Sequence, residues 1–351
     1  MTARRYRGSL AVWLLLIAYA SLYPFAPLRL PSPDALAEFA TRPRYVVPFD
    51  VVLNVLAYFP LGVLATLYFS SGEVRPPALA KSVAFGTALS FAMEGCQLFI
   101  PGRVASIYDV LANGTGALLG ALAFADPFHS VVTRQVARWR EDSFIPGPWG
   151  DAGLVLVGLW LLAQLNPALP FFGAGNIAAP GDAAPQAHGL EWAAVALGIC
   201  GFGLFVSTLL RGEQGSLRVT LLLLSAALWL KFVAASLMLQ PSFSDEWVTS
   251  GRFVGLAVGI AALAPLRRLP RAGRAYVAIL AILAGALFSK IFGSYSALAD
   301  LLHVFRWPYG QLANFTTLTR FLHELWPFAA LSFLVAVFLR DRRAAHAIIP
   351  R

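Results

Sequence analysis

Long runs of apolar residues, separated by short polar or charged stretches, repeat along the whole chain. Runs of about 18 residues or more are long enough to cross the hydrocarbon core of a bilayer as a helix. Because a bilayer offers the backbone no hydrogen-bond partners, helices are the expected element in every run. The pattern therefore predicts an all-α, polytopic membrane protein. We expect about ten transmembrane helices, at 8–27, 50–69, 78–99, 106–125, 151–171, 190–210, 217–239, 250–266, 274–293 and 321–340.

The arginines and lysines between these runs are unevenly distributed. If successive loops alternate across the membrane, the side that holds both termini carries 17 of the 27 basic residues and the opposite side carries seven. Cytoplasmic loops of membrane proteins carry such an excess of basic residues. We therefore expect both the N terminus and the C terminus in the cytoplasm.

Composition excludes several classes of protein. The chain is 58% hydrophobic and 13% charged, whereas ordinary soluble domains carry about 25% charged residues. The net charge of +9 is spread over the loops, which favours contact with anionic lipid headgroups over nucleic acid. The two cysteines, Cys96 and Cys200, both lie in apolar runs, so we expect no disulfide framework, no metal site and no cofactor.

Polar side chains interrupt three of the first four runs. Asp50 and Asn54 are four residues apart, Glu94 and Gln97 are three apart, and Asp109 and Asn113 are four apart. Each pair therefore shares one face of a helix. In the expected orientation all three pairs fall at the outer leaflet, together with an arginine between the third and fourth runs. The candidate ligand-binding residues are Asp50, Asn54, Glu94, Gln97, Arg103, Asp109 and Asn113.

Each of these residues also has a purely structural interpretation. Ser106 followed by Asp109 matches a capping box, and Asp50 is placed to cap its own helix. Asn54 and Asn113 are suited to hydrogen bonds between helices. Ionisable groups within membrane spans are nevertheless costly and tend to mark functional sites. The set as a whole therefore remains a candidate site.

The spacing of these residues resembles the VanZ-like family of membrane proteins. The matching motifs are Asp50…Asn54…Pro60-Leu61-Gly62, Glu94…Gln97, Pro101-Gly102-Arg103 and Asp109…Asn113…Gly116…Gly120, within about residues 8 to 127. The resemblance implies a multi-pass protein of the bacterial cytoplasmic membrane. The founding member of that family is associated with resistance to glycopeptide antibiotics such as teicoplanin.

The chain therefore divides into three predicted parts. Residues 1–127 form a VanZ-like four-helix membrane domain, and residues 151–351 form a six-helix membrane domain. Between them, residues 128–150 form an amphipathic interfacial linker, because apolar positions 132, 136 and 139 alternate there with arginines.

Standard catalytic signatures are absent from the sequence. We find no His-Glu-x-x-His motif, no nucleophile elbow and no glycine-rich phosphate loop. This favours a binding protein over an enzyme. The leading hypothesis is recognition of an amphipathic cell-envelope molecule at the outer leaflet: a lipid-linked glycan, a cell-wall precursor or a lipoglycopeptide antibiotic. In it, Arg103 binds a phosphate or carboxylate.

Two other hypotheses stay open. One is a membrane enzyme on a lipid-linked substrate, with Glu94 and Asp109 as its acid and base. The other is a lipid or glycan translocator, in which Lys231 and Lys290 pair with carboxylates along a path. In all three, the expected partners are membrane lipids or lipid-linked envelope glycans. The oligomeric state is left open.

Overall fold

The computed structural model describes residues 6–41, 48–70, 76–123, 135, 138–169, 185–212, 216–243, 250–292, 302–306 and 311–347. Within these ranges the chain is helical and contains no β-strand, as the sequence predicted. The first helices are α1 (Arg7–Leu22), α2 (Pro33–Ala40), α3 (Pro48–Phe69), α4 (Pro76–Gln97) and α5 (Ile107–Ala123). They are followed by α6 (Pro148–Gln164), α7 (Pro185–Leu209), α8 (Ser216–Met238), a 3-10 turn (Pro241–Phe243), α9 (Ser250–Leu266), α10 (Arg271–Phe292) and α11 (Gln311–Ala347).

Several of these helices are long and apolar enough to cross a membrane. Five qualify by length and composition: Pro48–Phe69, Trp192–Leu209, Ser216–Met238, Arg271–Phe288 and Gln311–Arg340. Three more, α1, α5 and α9, are apolar but shorter. The protein is therefore a helical membrane protein, while the number of crossings remains a prediction.

Contacts divide the chain into two compact units. The first comprises Met1–Ala137 and Tyr309–Leu318, and the second comprises Arg138–Pro308 and Thr319–Arg351. The first unit thus takes in the start of α11 as well as the N-terminal helices. Of the predicted linker at 128–150, residues 128–134, 136 and 137 lie outside the described residues, while 138–143 are helical and 148–150 already belong to α6. The three predicted parts stay predictions.

In the first unit, α3 and α5 pack backbone against backbone. A methyl group on Gly116 would overlap the carbonyl oxygen of Val55, and one on Gly120 would overlap that of Phe59. Small residues of this kind let helices approach closely where lipid supplies no hydrophobic driving force. The four-residue glycine spacing therefore marks a helix contact within the chain.

The second unit is built around α7, which packs against α9 and α10 and contacts α6 and α8. Its centre is aromatic: the ring of Trp160 stacks on Phe202 with 3.9 Å between centroids. Trp326, from α11, packs its ring against Phe202 and donates its indole N–H to the Leu156 carbonyl at 2.8 Å. Aromatic side chains from three helices thus fill the core of this unit.

The glycine contact yields a stability prediction. Gly120→Ala should lower the free energy of unfolding by about 1–3 kcal/mol, because the added methyl group forces α3 and α5 apart. Gly95→Ala is the matched control, since Gly95 is also helical and nothing lies within 4 Å of an added methyl group there. It should leave stability unchanged or raise it by up to about 1 kcal/mol. The melting temperatures of the two purified variants test this prediction. Equal values would contradict the close packing of α3 against α5.

Candidate functional site

Five of the seven predicted polar residues of the first unit belong to one hydrogen-bond network, while Glu94 and Asn113 lie beside it and make hydrogen bonds of their own. Asp50 lies in the first turn of α3, Glu94 in the last turn of α4, and Asp109 in the first turn of α5. Arg103 lies in the turn between α4 and α5. The antiparallel course of neighbouring helices brings these helix ends to the same level.

Asp109 is held by two amide side chains. Asn54 donates from Nδ2 to Oδ1 of Asp109 at 2.8 Å. Gln311, the first residue of α11, donates from Nε2 to Oδ2 of Asp109 over a longer distance of 3.4 Å. Because Asn54 is buried, its hydrogen bond fixes α3 against α5 as well as orienting the carboxylate.

Glu94 binds the start of α5. Its Oε2 accepts a hydrogen bond from the backbone N–H of Ser106 at 2.9 Å, and its side chain is 2% exposed. The hydroxyl oxygen of Ser106 in turn accepts from the backbone N–H of Tyr108 at 3.2 Å. Ser106 is therefore the N-cap, as predicted. The reciprocal bond of the capping box comes from Glu94, because the carboxylate of Asp109 is bound by Asn54 instead.

Arg103 binds the end of α1. Its guanidinium donates to the backbone carbonyls of Ala20, at 2.8 Å, and Ser21, and to the side-chain oxygen of Asn314. Gln97 donates to the same Ser21 carbonyl at 3.1 Å. Burial lowers the pKa of Arg103, and the carboxylates of Glu94 and Asp109 partly offset this effect. An arginine side chain nevertheless remains cationic. Its positive charge therefore faces the carbonyls that end α1.

Asp50 caps a helix other than its own. Helix α3 already begins at Pro48, so the expectation that Asp50 caps α3 is wrong. Its Oδ1 instead accepts a hydrogen bond from the backbone N–H of Gln311 at 3.1 Å. That N–H is one of the unpaired donors at the start of α11. A carboxylate there also complements the positive end of the helix dipole.

Asn113 lies one turn deeper than Asp109. It donates from Nδ2 to the hydroxyl oxygen of Ser90 at 2.9 Å, which joins α5 to α4. Its own side-chain oxygen is buried and has no partner among the described residues. The hydroxyl of Tyr58 lies close to both Ser90 and Glu94. Buried polar groups therefore extend inward from the helix ends, and the hydroxyl of Tyr58, like the side-chain oxygen of Asn113, has no hydrogen-bond partner among the described residues.

The sequence analysis did not place Gln311 or Asn314 in this site. Asn314 donates to the side-chain oxygen of Gln311 at 2.9 Å, so the two act together. They are three residues apart at the start of an apolar run, the same signal that selected Glu94 and Gln97. Gln311 is 202 residues from Asp109 along the chain, and no pattern in the sequence links such distant positions.

Two carboxylate oxygens of the network are left available. In the part of the chain that the structure describes, Oε1 of Glu94 and Oδ2 of Asp50 receive no hydrogen bond. The described residues contain no group of three acidic, histidine or cysteine side chains suited to a metal ion. The free oxygens are therefore suited to ligands that donate hydrogen bonds, such as hydroxyl, amide or ammonium groups.

An open apolar groove of about 850 Å³ runs along α4 and α5. It ends at Phe91, one turn before Glu94, and at Val110, the residue after Asp109. The ring of Phe39, from α2, packs edge-on against Phe91 there, with 5.9 Å between ring centroids. The groove is lined by Leu79, Ala80, Val83, Ala84, Thr87, Ala88, Phe91, Val110 and Leu118.

Comparison with known families identifies the N-terminal part of the chain. Residues 8–129 match the VanZ/LLP1 family. This confirms the resemblance that the sequence motifs indicated for the N-terminal third. Comparisons with curated proteins and with solved structures gave no match.

The contacts of Arg103 predict that lysine cannot replace it. Arg103→Lys keeps the charge but loses the planar fork that serves three acceptors on α1 and α11. We expect a loss of about 1.5–3 kcal/mol of stability, the usual value of a hydrogen bond to a charged group. Arg218→Lys, at an exposed position of α8, should change the melting temperature little. A similar melting temperature for both variants would show that the hydrogen bonds of the Arg103 guanidinium to α1 and α11 do not stabilise the fold.

Proposed function

We propose that this protein, whose first third is a VanZ-like domain, binds an amphipathic cell-envelope molecule at the outer leaflet of the bacterial cytoplasmic membrane. Candidates are a lipid-linked glycan, a cell-wall precursor or a lipoglycopeptide antibiotic. Binding such a molecule gives resistance to glycopeptide-type antibiotics or takes part in modifying the envelope.

One observation carries this proposal: an apolar groove ends at Phe91 and Val110, within one helical turn of the polar residues Glu94 and Asp109. An amphipathic ligand needs both, one for its headgroup and one for its hydrocarbon chain. The groove extends along α4 from Phe91 to Leu79, which is about 18 Å at 1.5 Å per residue. A ligand whose chain lies in this groove brings its headgroup to Glu94 and Asp109.

The network also favours a particular kind of headgroup. The guanidinium group of Arg103 already donates hydrogen bonds to the backbone carbonyls of Ala20 and Ser21 and to the side-chain oxygen of Asn314. It is therefore poorly placed to bind a phosphate. The available atoms are carboxylate oxygens of Glu94 and Asp50. We therefore favour a headgroup rich in hydroxyl or amide donors, as in a sugar or a peptide, over recognition through an anionic group.

The location at the outer leaflet rests on the proposed topology. We propose ten crossings with both termini in the cytoplasm, which agrees with the distribution of basic residues over the loops. With that topology, α4 runs outward and ends at Gln97. The polar network then faces the side on which cell-wall precursors and glycopeptide antibiotics are met.

A second candidate function is catalysis on a lipid-linked substrate. Glu94 and Asp109 lie close enough to act on one another's charge, and Arg103 acts on both. Two neighbouring carboxylates in different surroundings are a common arrangement for a general acid and a general base. The same residues therefore serve either function, and substitution separates the two.

Glu94→Gln distinguishes binding from catalysis. If the site binds a headgroup, the loss of a charge-assisted hydrogen bond should cost about 1.5–3 kcal/mol, or roughly ten- to hundredfold in affinity. If Glu94 is an acid or base, turnover should fall by about 10²–10⁴ while the substrate still binds. The probes are teicoplanin and a lipid-linked muropeptide precursor, added to the protein in nanodiscs.

Two controls accompany this experiment. Glu141→Gln removes an exposed carboxylate outside the site and should leave affinity unchanged. Asp109→Asn should weaken binding too, but its melting temperature must be measured alongside, because Asp109 also holds Asn54 and Gln311. Undiminished affinity in Glu94→Gln, with no reaction to lose, would contradict both functions.

The topology has its own test. In a background with both native cysteines replaced by alanine, Val104→Cys should react with a membrane-impermeant maleimide in sealed cells. Gly212→Cys should react only after the membrane is opened. Both positions are exposed, Val104 by 76%. The reverse pattern would place the polar network on the cytoplasmic face.

A further inference from the structure

A lysine is completely buried in the second unit. Lys231, in α8, is 0% exposed. Its ammonium group donates one hydrogen bond, to the backbone carbonyl of Asn166 at 2.8 Å. A lysine ammonium carries three N–H donors. Among the described residues no other acceptor meets it, so two donors are left without a partner.

The carbonyl that Lys231 meets is firmly held. The side chain of Asn166 donates to the hydroxyl oxygen of Thr319 at 2.8 Å and accepts from the backbone N–H of Ala168 at 2.9 Å. Asn166 is itself fully buried. One hydrogen bond therefore fixes the ammonium group of Lys231 in position, and its two remaining donors meet no acceptor among the described residues.

Among the described residues, the charge that acts on Lys231 is positive and comes from Arg252. His323 also lies close enough to interact with Lys231 electrostatically. Glu324 acts on His323 and pairs with Arg320 at 3.1 Å. The translocator hypothesis expected a carboxylate beside Lys231, and the described residues provide none. The side chain of Lys290, its proposed companion, lies outside the described residues.

A buried cation without a counter-ion is costly, and an ionisable residue within a membrane protein points to a functional site. We propose that Lys231 anchors a second ligand site, which binds a phosphate group. A phosphate offers several acceptor oxygens to the unpaired donors of Lys231, and its negative charge offsets the positive charge of the ammonium group. Lysine binds phosphate as a compact point charge. The site lies wholly in the second unit, so it does not depend on the function proposed above.

A structural role for Lys231 makes the opposite prediction. Asn166 follows the last residues of α6, and a lysine that donates to the carbonyls ending a helix stabilises it. If that is the purpose of Lys231, its removal should destabilise the protein. If Lys231 holds a ligand, removing an uncompensated buried charge should leave the ligand-free protein equally stable or more stable.

The experiment measures melting temperatures of the full-length protein in dodecyl maltoside, without phosphate. Phosphatidylglycerol is added in one arm and inorganic phosphate, at matched ionic strength, in the other. A ligand that binds only the folded protein raises its melting temperature. We expect a rise of a few degrees for the wild type in at least one arm, and the responding arm shows whether the phosphate belongs to a lipid.

Lys231→Met and Lys231→Gln should both lose this rise while melting no lower than the wild type without ligand. The glutamine variant keeps one donor for the Asn166 carbonyl and so separates capping from phosphate binding. Lys81→Met, which removes an exposed lysine from α4, should keep the full rise. The proposal is overturned by a rise that persists without Lys231, by no rise in either arm, or by a lower melting temperature of both Lys231 variants without ligand.

Discussion

The first unit depends on the matching of buried charges to helix ends of opposite polarity. Asp50 binds the N terminus of α11, Glu94 binds the N terminus of α5, and Arg103 binds the C terminus of α1. In a membrane, little water is present to hydrogen-bond the backbone N–H and C=O groups at helix ends. A helix end without other partners would therefore destabilise the fold. These side chains therefore let helices end at one level without exposing unpaired groups.

This capping role is compatible with ligand binding. Glu94 and Asp50 each use one oxygen for a helix end and keep the other. The same contacts that hold the helices also fix the free oxygens in direction, which is the preorganisation that a binding site needs. The structural and functional interpretations, treated as competitors at the level of sequence, thus describe different atoms of the same side chains.

The sequence predicted an all-helical chain and the polar pairs, because apolar runs and three- or four-residue spacings are local properties. It did not predict α2 or the start of α11 at Gln311. It did not predict which helix each charge would serve. Arg103 binds backbone carbonyls of α1, and every residue has a carbonyl, so no side-chain pattern identifies that partner. Likewise, the backbone N–H of Ser106 is bound by Glu94 and not by Asp109, because Asn54 from another helix donates a hydrogen bond to Asp109. Contacts across helices decided these assignments.

The hydrogen bonds that join Gln311 to Asp50 and to Asp109 have a consequence for biosynthesis. The N-terminal helices enter the membrane first, and Gln311 is made 202 residues after Asp109. At about 5–20 residues per second, the ribosome needs roughly 10–40 s to reach it. During that interval the network lacks Gln311 and Asn314, the partners of Asp50 and Arg103. The polar network of the first unit is therefore completed only after the ribosome has made these two residues.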